Sequence, residues 1–177
     1  MRTRVVTVPA LTAALALAGL LAPGTSMAAC TGLGLFTCTV TVTAATPLAF
    51  GSYDPAVATP KDNTTTVTVV GKVDGVVGLL VTVSYTVGLD AGSAGNIADR
   101  RMVGPVSTTP LGYNLYTTNA HSTVWNASNV TDSYGVTLSL LGTASMTKNY
   151  TVYGRIPPGQ YVAPGPYSST ITVTVTY

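Results

Sequence analysis

The sequence predicts an all-β fold, a sandwich of two antiparallel sheets, on three observations. After residue 28 the chain is rich in Thr, Val, Gly and Tyr and poor in strong helix formers, the composition of pleated, half-buried strands. Its apolar residues alternate with polar ones in short runs, the period of two that sends successive side chains to opposite faces of a strand. Turn residues punctuate those runs at intervals typical of a sandwich, as in Asp74-Gly75, Ala91-Gly92-Ser93 and Pro157-Pro158-Gly159.

In chain order, the first element is expected to be removed. Arg2 and Arg4 precede an apolar stretch from Val8 to Ala22, and Ser26-Met27-Ala28 puts small residues where a signal peptidase inspects the chain. Residues 1–28 therefore read as a secretory signal peptide cut after Ala28. A membrane helix needs about 20 unbroken apolar residues, and Pro23-Gly24 ends the stretch before that. No stable membrane insertion is expected once the signal is gone. A lipid-modified Cys30 fits less well, because the Cys stands apart from the apolar stretch and Met27 sits where Leu is usual. What remains is 149 residues, 177 less the 28 of the signal, enough for one domain, 29–177, with one core.

The charge balance changes with that cut. The mature chain keeps Lys61, Lys72, Arg100, Arg101, Lys148 and Arg155 against six Asp and no Glu. It is neutral and has no basic stripe, so nucleic acid is not an expected partner.

Strands are expected at Cys38 to Thr43, Thr64 to Val70, Leu79 to Val87, Leu111 to Thr117, Val136 to Leu141, Met146 to Val152, and over the final ten residues. The run Leu79 to Val87 has the cleanest inward row, so Val81, Val83, Tyr85 and Val87 should be core. Residues 91–110 read as a long connection with a short strand near Met102. In the last strand Ile171, Val173, Val175 and Tyr177 line one face, and Thr170, Thr172, Thr174 and Thr176 the other. Its outer edge carries no Pro, Lys or other charge, the devices that keep an edge strand from recruiting another chain. That edge reads as one built to be filled.

The inventory for catalysis is thin. His121 is the one histidine, in a polar loop where solvent is its expected surrounding, and a general base needs a positioned partner. Gly92-Ser93-Ala94-Gly95 lacks the first glycine and the strand-turn-helix setting of a nucleophile elbow, and reads as a turn. Asp90, Asn96 and Asp99 miss the spacing of a calcium loop. Arg100 and Arg101 beside Asp99 suggest a loop ion pair. Trp125, Tyr113 and Tyr116 fit core packing better than a sugar platform. Four Asn-x-Ser/Thr matches, at Asn63, Asn126, Asn129 and Asn149, are of a kind that a Thr-rich chain produces by chance. No enzyme activity, cofactor or metal is expected. Export would place Cys30 and Cys38 in an oxidising compartment, where pairing would close a nine-residue loop and contribute roughly 2–3 kcal/mol; an intermolecular bridge or free thiols are the alternative.

From Cys38 onward the order of motifs resembles the spore coat protein U domain, the subunit family of archaic chaperone-usher pili. The resemblance is carried by Phe50-Gly51-Ser52-Tyr53-Asp54-Pro55, by Arg100 and Met102, by Leu111-Gly112-Tyr113-Asn114-Leu115-Tyr116-Thr117, by Trp125, and by Tyr153-Gly154-Arg155-Ile156-Pro157 with Gln160 and Gly165-Pro166-Tyr167. It implies an immunoglobulin-like sandwich that lacks its last strand unless a donor strand complements it. It further implies a structural subunit of a secreted adhesive pilus, held by a periplasmic chaperone, passed to an outer-membrane usher, and completed by a neighbouring subunit. The implied acceptor groove lies between Ile171, Val173, Val175 and Tyr177 on one wall and Val40 and Val42 on the other. An inserted strand burying three or four large side chains would gain about 5–10 kcal/mol gross.

Three positions depart from the family pattern. Where members often pair the first-strand Cys with one at the end of the second strand, Val69-Val70-Gly71-Lys72-Val73 has none, leaving Cys30 as the intrachain partner of Cys38. Residues 29–37 offer Leu33 and Leu35 alone as large alternating anchors, a short candidate donor segment. Ser169 stands where Asp is common. A tip adhesin binding sugars or surfaces, and an extracellular coat protein that never polymerises, are the alternative expectations.

Overall fold

The computed structural model describes residues 3–9, 30–44, 46–105, 109–138 and 142–177. Among them the chain forms strands and no helix: β1 (Thr3–Pro9), β2 (Cys30–Ala44), β3 (Lys61–Leu89), β4 (Ala94–Gly95), β5 (Arg100–Met102), β6 (Leu111–Tyr116), β7 (Val130–Leu138), β8 (Gly142–Ile156) and β9 (Thr170–Thr176). The short strand expected near Met102 is β5. No helix of the described residues is long and apolar enough to cross a membrane. Most of the apolar stretch and the cleavage position assigned to the signal lie outside the described residues.

Two expected strands are halves of one. The runs around Thr64–Val70 and Leu79–Val87 belong to the 29-residue β3, and the turn expected at Asp74-Gly75 is a bend within it. The first half of β3 pairs antiparallel with β8 from Lys61 to Gly75 and with β2 on its other side. The second half pairs with β7 as far as Val87 and with β9 over Thr86 to Leu89. β3 thus crosses from one layer of the sandwich to the other, and the single antiparallel sheet curls on itself to make both layers, as an immunoglobulin-like sandwich requires.

The N-terminal part of β2 follows β3 around the bend, pairing Leu33 with Leu79, Leu35 with Val77 and Phe36 with Gly75. A side chain at Gly75 would meet the Leu35 carbonyl oxygen at 2.5 Å, so glycine permits this approach where a larger residue would push the strands apart. Leu80 adopts a φ of 52° in the same region. Cys30 and Cys38 are joined by a disulfide with their Cα atoms 6.3 Å apart. Eight residues of straight strand would span about 26 Å, so β2 must fold back here, and the bridge staples the bend.

The core forms where inward rows of the two layers meet. Val81, Val83, Tyr85 and Val87 are buried as expected, with Val67, Val69 and Val73 from the first half of β3, Val40 and Val42 from β2, and Val152 and Ile156 from β8. Each fully buried residue of this size contributes about 1.5–3 kcal/mol relative to exposure. Trp125 lies within this core at 1 % exposure. Its Nε1–H donates to the Val87 carbonyl at 3.0 Å, which satisfies the polar end of an otherwise apolar ring. At the end away from the β3 bend, β6 extends the first layer beside β8, β5 and β4 follow, and Val103 bridges to Ser168 just before β9.

Candidate strand-acceptor edge

β9 sits at a seam where the curled sheet does not close on itself. Its alternating sequence forms a regular strand, but β3 accompanies only its C-terminal half, from Leu89 opposite Val173 to Thr86 opposite Thr176. Beyond Leu89 the loop holds β9 with polar groups instead. The Asp90 N–H donates to the Thr172 carbonyl at 3.1 Å, and the Thr172 N–H donates to Asp90 Oδ1 at 2.9 Å. The Ser93 N–H donates to Ser169 Oγ at 3.1 Å, and the Thr170 N–H donates to Ser93 Oγ at 2.7 Å. Ser169, at the position where the pattern commonly has Asp, is buried and serves as an acceptor there. Gly92 completes the clamp with a φ of 78°, and a Cβ on it would meet Ser169 Oγ at 2.5 Å.

The outer edge of β9, expected to be open, is occupied in this chain by the chain itself. β1 pairs antiparallel along the strand's full length, from Thr3 opposite Thr176 to Pro9 opposite Thr170, and also approaches β2. The physical reason is the one that made the edge notable. A row of unpaired N–H and C=O groups recruits a compatible strand, and Thr3-Arg4-Val5-Val6-Thr7-Val8 is five-sixths β-branched. The occupant is drawn from the stretch that the sequence assigns to a removable signal.

The residues expected to wall a groove lie on β2 and along the β9 segment. Val40 and Val42 are buried in β2, Val173 and Val175 are buried in β9, and Ile171 and Tyr177 pack half-buried against the same core. β2 and β9 approach each other across the seam. Beneath Ile171 and Val173 lies an apolar cleft of about 60 Å³, lined also by Leu48, Phe50, Val67, Met102, Leu115 and Val152. The lining carries no charged side chain among the described residues, and burial pushes the Tyr113 hydroxyl beside it above the usual tyrosine range. An edge of peptide groups above an apolar furrow can bind an extended polypeptide through backbone hydrogen bonds and alternate side-chain anchors.

Several other expected sites change character. Leu33 and Leu35 do not project as a free donor segment: β2 pairs them with β3, the Cys30–Cys38 bridge ties them to their own domain, and their side chains are exposed. The disulfide itself is present. Trp125 keeps its expected place in the core, and that burial removes the alternative of a sugar platform. His121 is not solvated: its side chain is 8 % exposed, set edge-on between Tyr116 and Tyr153. Among the described residues Asp99 pairs with Arg101, Asn96 Oδ1 accepts from the Ala98 and Asp99 N–H groups, and Asp90 is committed to Gly92 and Thr172.

Arg100, expected in the loop ion pair, is fully buried. Its Nε donates to the Asp90 carbonyl at 2.8 Å, and its terminal nitrogens donate to Asn114 Oδ1 at 2.7 Å and the Trp125 carbonyl at 2.7 Å. Burial lowers its proton affinity. It fixes the Leu89–Asp90 corner, and through Asp90 the start of β9, so it positions the edge without touching an occupant. Neither its burial nor the Asp90–Ser93 clamp is encoded in local periodicity; the one available signal was the place of Arg100 among the residues that carry the resemblance.

A family model described as the Spore Coat Protein U domain matches residues 25–174. No curated protein matches the chain.

Proposed function

The chain belongs to the Spore Coat Protein U domain family, whose members are structural domains of pili and coats, and on that premise we propose that it is a structural subunit of a secreted adhesive surface fibre. In this reading the signal is cut after Ala28, the mature domain 29–177 passes through the periplasm with a chaperone on β9, and an outer-membrane usher exchanges that chaperone for a strand of a neighbouring subunit. The observation that carries the reading is β9 itself, a strand whose outer edge takes a seven-residue partner in full register. Removing residues 1–28 would vacate that edge and leave its furrow for another polypeptide. Electron microscopy of producing cells, with and without this chain, tests it: fibres that carry the chain and shorten or vanish in its absence support it, and a continuous coat with no fibres refutes it in favour of a coat protein.

A second reading places the chain at the fibre's end as the contact with surfaces. Residues 30–37 are paired and stapled, so the mature chain would accept a strand without donating one from them. At the β3 bend Leu33, Leu35 and Leu80 are 69 %, 72 % and 77 % exposed, and this end lies beyond the C-terminus of β9, away from where an occupant's chain leaves. Leu33→Ser with Leu80→Ser should then abolish adherence to apolar surfaces while fibres persist; unchanged adherence removes this reading.

A further inference from the structure

On the strand-acceptor reading above, we infer that the acceptor site does not end with β9: the cleft at the Thr170 end of the furrow binds the stretch of the donor polypeptide that follows its inserted strand. Direction comes first. The strand seated on β9 runs antiparallel to it and reaches Thr170 with its C-terminal residue, so a polypeptide in this orientation leaves the furrow at that end. Four further residues in extended form advance about 13 Å, past Ser168, Tyr167 and Pro166.

At that place the structure holds a cleft of about 670 Å³ between the loop that follows β2 and the loop that precedes β9, with Phe50, Tyr53, Val162, Pro164 and Tyr167 among its lining. It is continuous with the furrow, since Leu48, Phe50 and Met102 line both. Hydrogen bonds tie its walls together. The Tyr53 hydroxyl donates to the Pro157 carbonyl at 3.0 Å and accepts from the Gln160 N–H at 2.8 Å, and the Tyr167 hydroxyl donates to the Ala163 carbonyl at 2.7 Å. The tyrosines thereby spend their polar groups on their own loops and present ring surface to the cleft. No charged side chain lines it among the described residues. An uncharged, preformed hollow of aromatic and proline surface selects an apolar segment, and the segment delivered to it is the one leaving the furrow.

The test uses the full-length chain, nicked between residues 28 and 29, and three synthetic peptides read by native mass spectrometry as they replace the 1–28 fragment. One peptide has the sequence of residues 3–9; the second adds a four-residue apolar extension at its C-terminus; the third adds the same extension at its N-terminus. The C-terminal extension should lower the concentration needed for half-replacement about tenfold or more, the size expected from burying one large apolar side chain, and the N-terminal extension should leave it unchanged. Val162→Thr and Pro164→Glu should each reduce the C-terminal gain to less than about threefold, a loss of roughly half a tenfold step, without moving the unextended peptide. An equal gain from either extension, or a gain that survives both substitutions, overturns the inference while the strand-acceptor reading stands. Failure of all three peptides to replace the fragment overturns both.

Discussion

Arg100→Met is the substitution whose effect the structure sets most closely. The side chain is fully buried, yet its nitrogens donate to carbonyls and an amide oxygen with no carboxylate among the bonded partners. Methionine fills similar volume and donates nothing. Asn114 Oδ1 keeps the Leu115 N–H at 2.8 Å and the Ile97 carbonyl keeps Asn114 Nδ2 at 3.2 Å, so the short bonds lost outright are those to the carbonyls of Asp90 and Trp125, with a longer one of 3.4 Å to Leu89. A buried polar group stripped of its partner costs about 1–3 kcal/mol, and burying Met in place of a desolvated cation returns about 1–2 kcal/mol. For the two short bonds the net expected loss is centred on about 2.5 kcal/mol, read by urea denaturation of the full-length chain. Because Asp90 is the anchor of Thr172, the Thr172 amide should also exchange faster with solvent, ahead of global unfolding. Arg101→Met, one residue away and exposed, should cost less than about 1 kcal/mol. Equal stability of the two variants, or an unchanged Thr172 amide, would refute the positioning role.

Replacing Cys30 and Cys38 with Ser should lower stability by about 2.5 kcal/mol in the loop-closure account, and the loss should be matched by adding reductant to the unmodified chain during denaturation. Acid dependence has a defined sign. Hydrogen bonding to Arg155 holds the Asp62 carboxyl below its usual range, and Lys148, with Tyr150, does the same for Asp132. A depressed folded value means that the stability these groups contribute is complete above about pH 4, the unfolded value, and is lost as pH falls through the lower folded value. Asp132→Asn should therefore flatten the fall in melting temperature below about pH 4; an unchanged acid limb would show that the pair does not couple to folding.

Much of the architecture was legible because it rests on local alternation. The inward row Val81 to Val87, the seam residues of β9 and the burial of Trp125 follow from a period of two and from what aromatics do in sandwich cores. Continuity of β3 through Asp74-Gly75 was not legible, because a glycine that ends a strand and a glycine that lets β2 cross close to it look the same in one dimension. Leu33 and Leu35 read as a donor for the same reason: alternation marks a strand without naming its partner, and the Cys30–Cys38 staple decides that partner in three dimensions. Arg100, Asp90, Ser93 and Ser169 lie in irregular segments, where contacts between distant residues set each role. The occupation of β9 by residues 3–9 was not legible, since in sequence that stretch reads as an export signal with no expected place in the fold.

The central claim is that the outer edge of β9 is a vacancy the mature domain cannot close alone. Hydrogen–deuterium exchange at the amides of Ile171, Val173 and Val175, which alternate with the inward-bonded Thr170 and Thr172 amides and so face the outer edge, tests it most directly, in the intact chain, after cleavage behind Ala28 with removal of the fragment, and after addition of a strand-forming peptide. The account predicts protection, then rapid exchange along the outer edge, then protection regained. Amides that stay protected when residues 1–28 are gone and no peptide is present would contradict it.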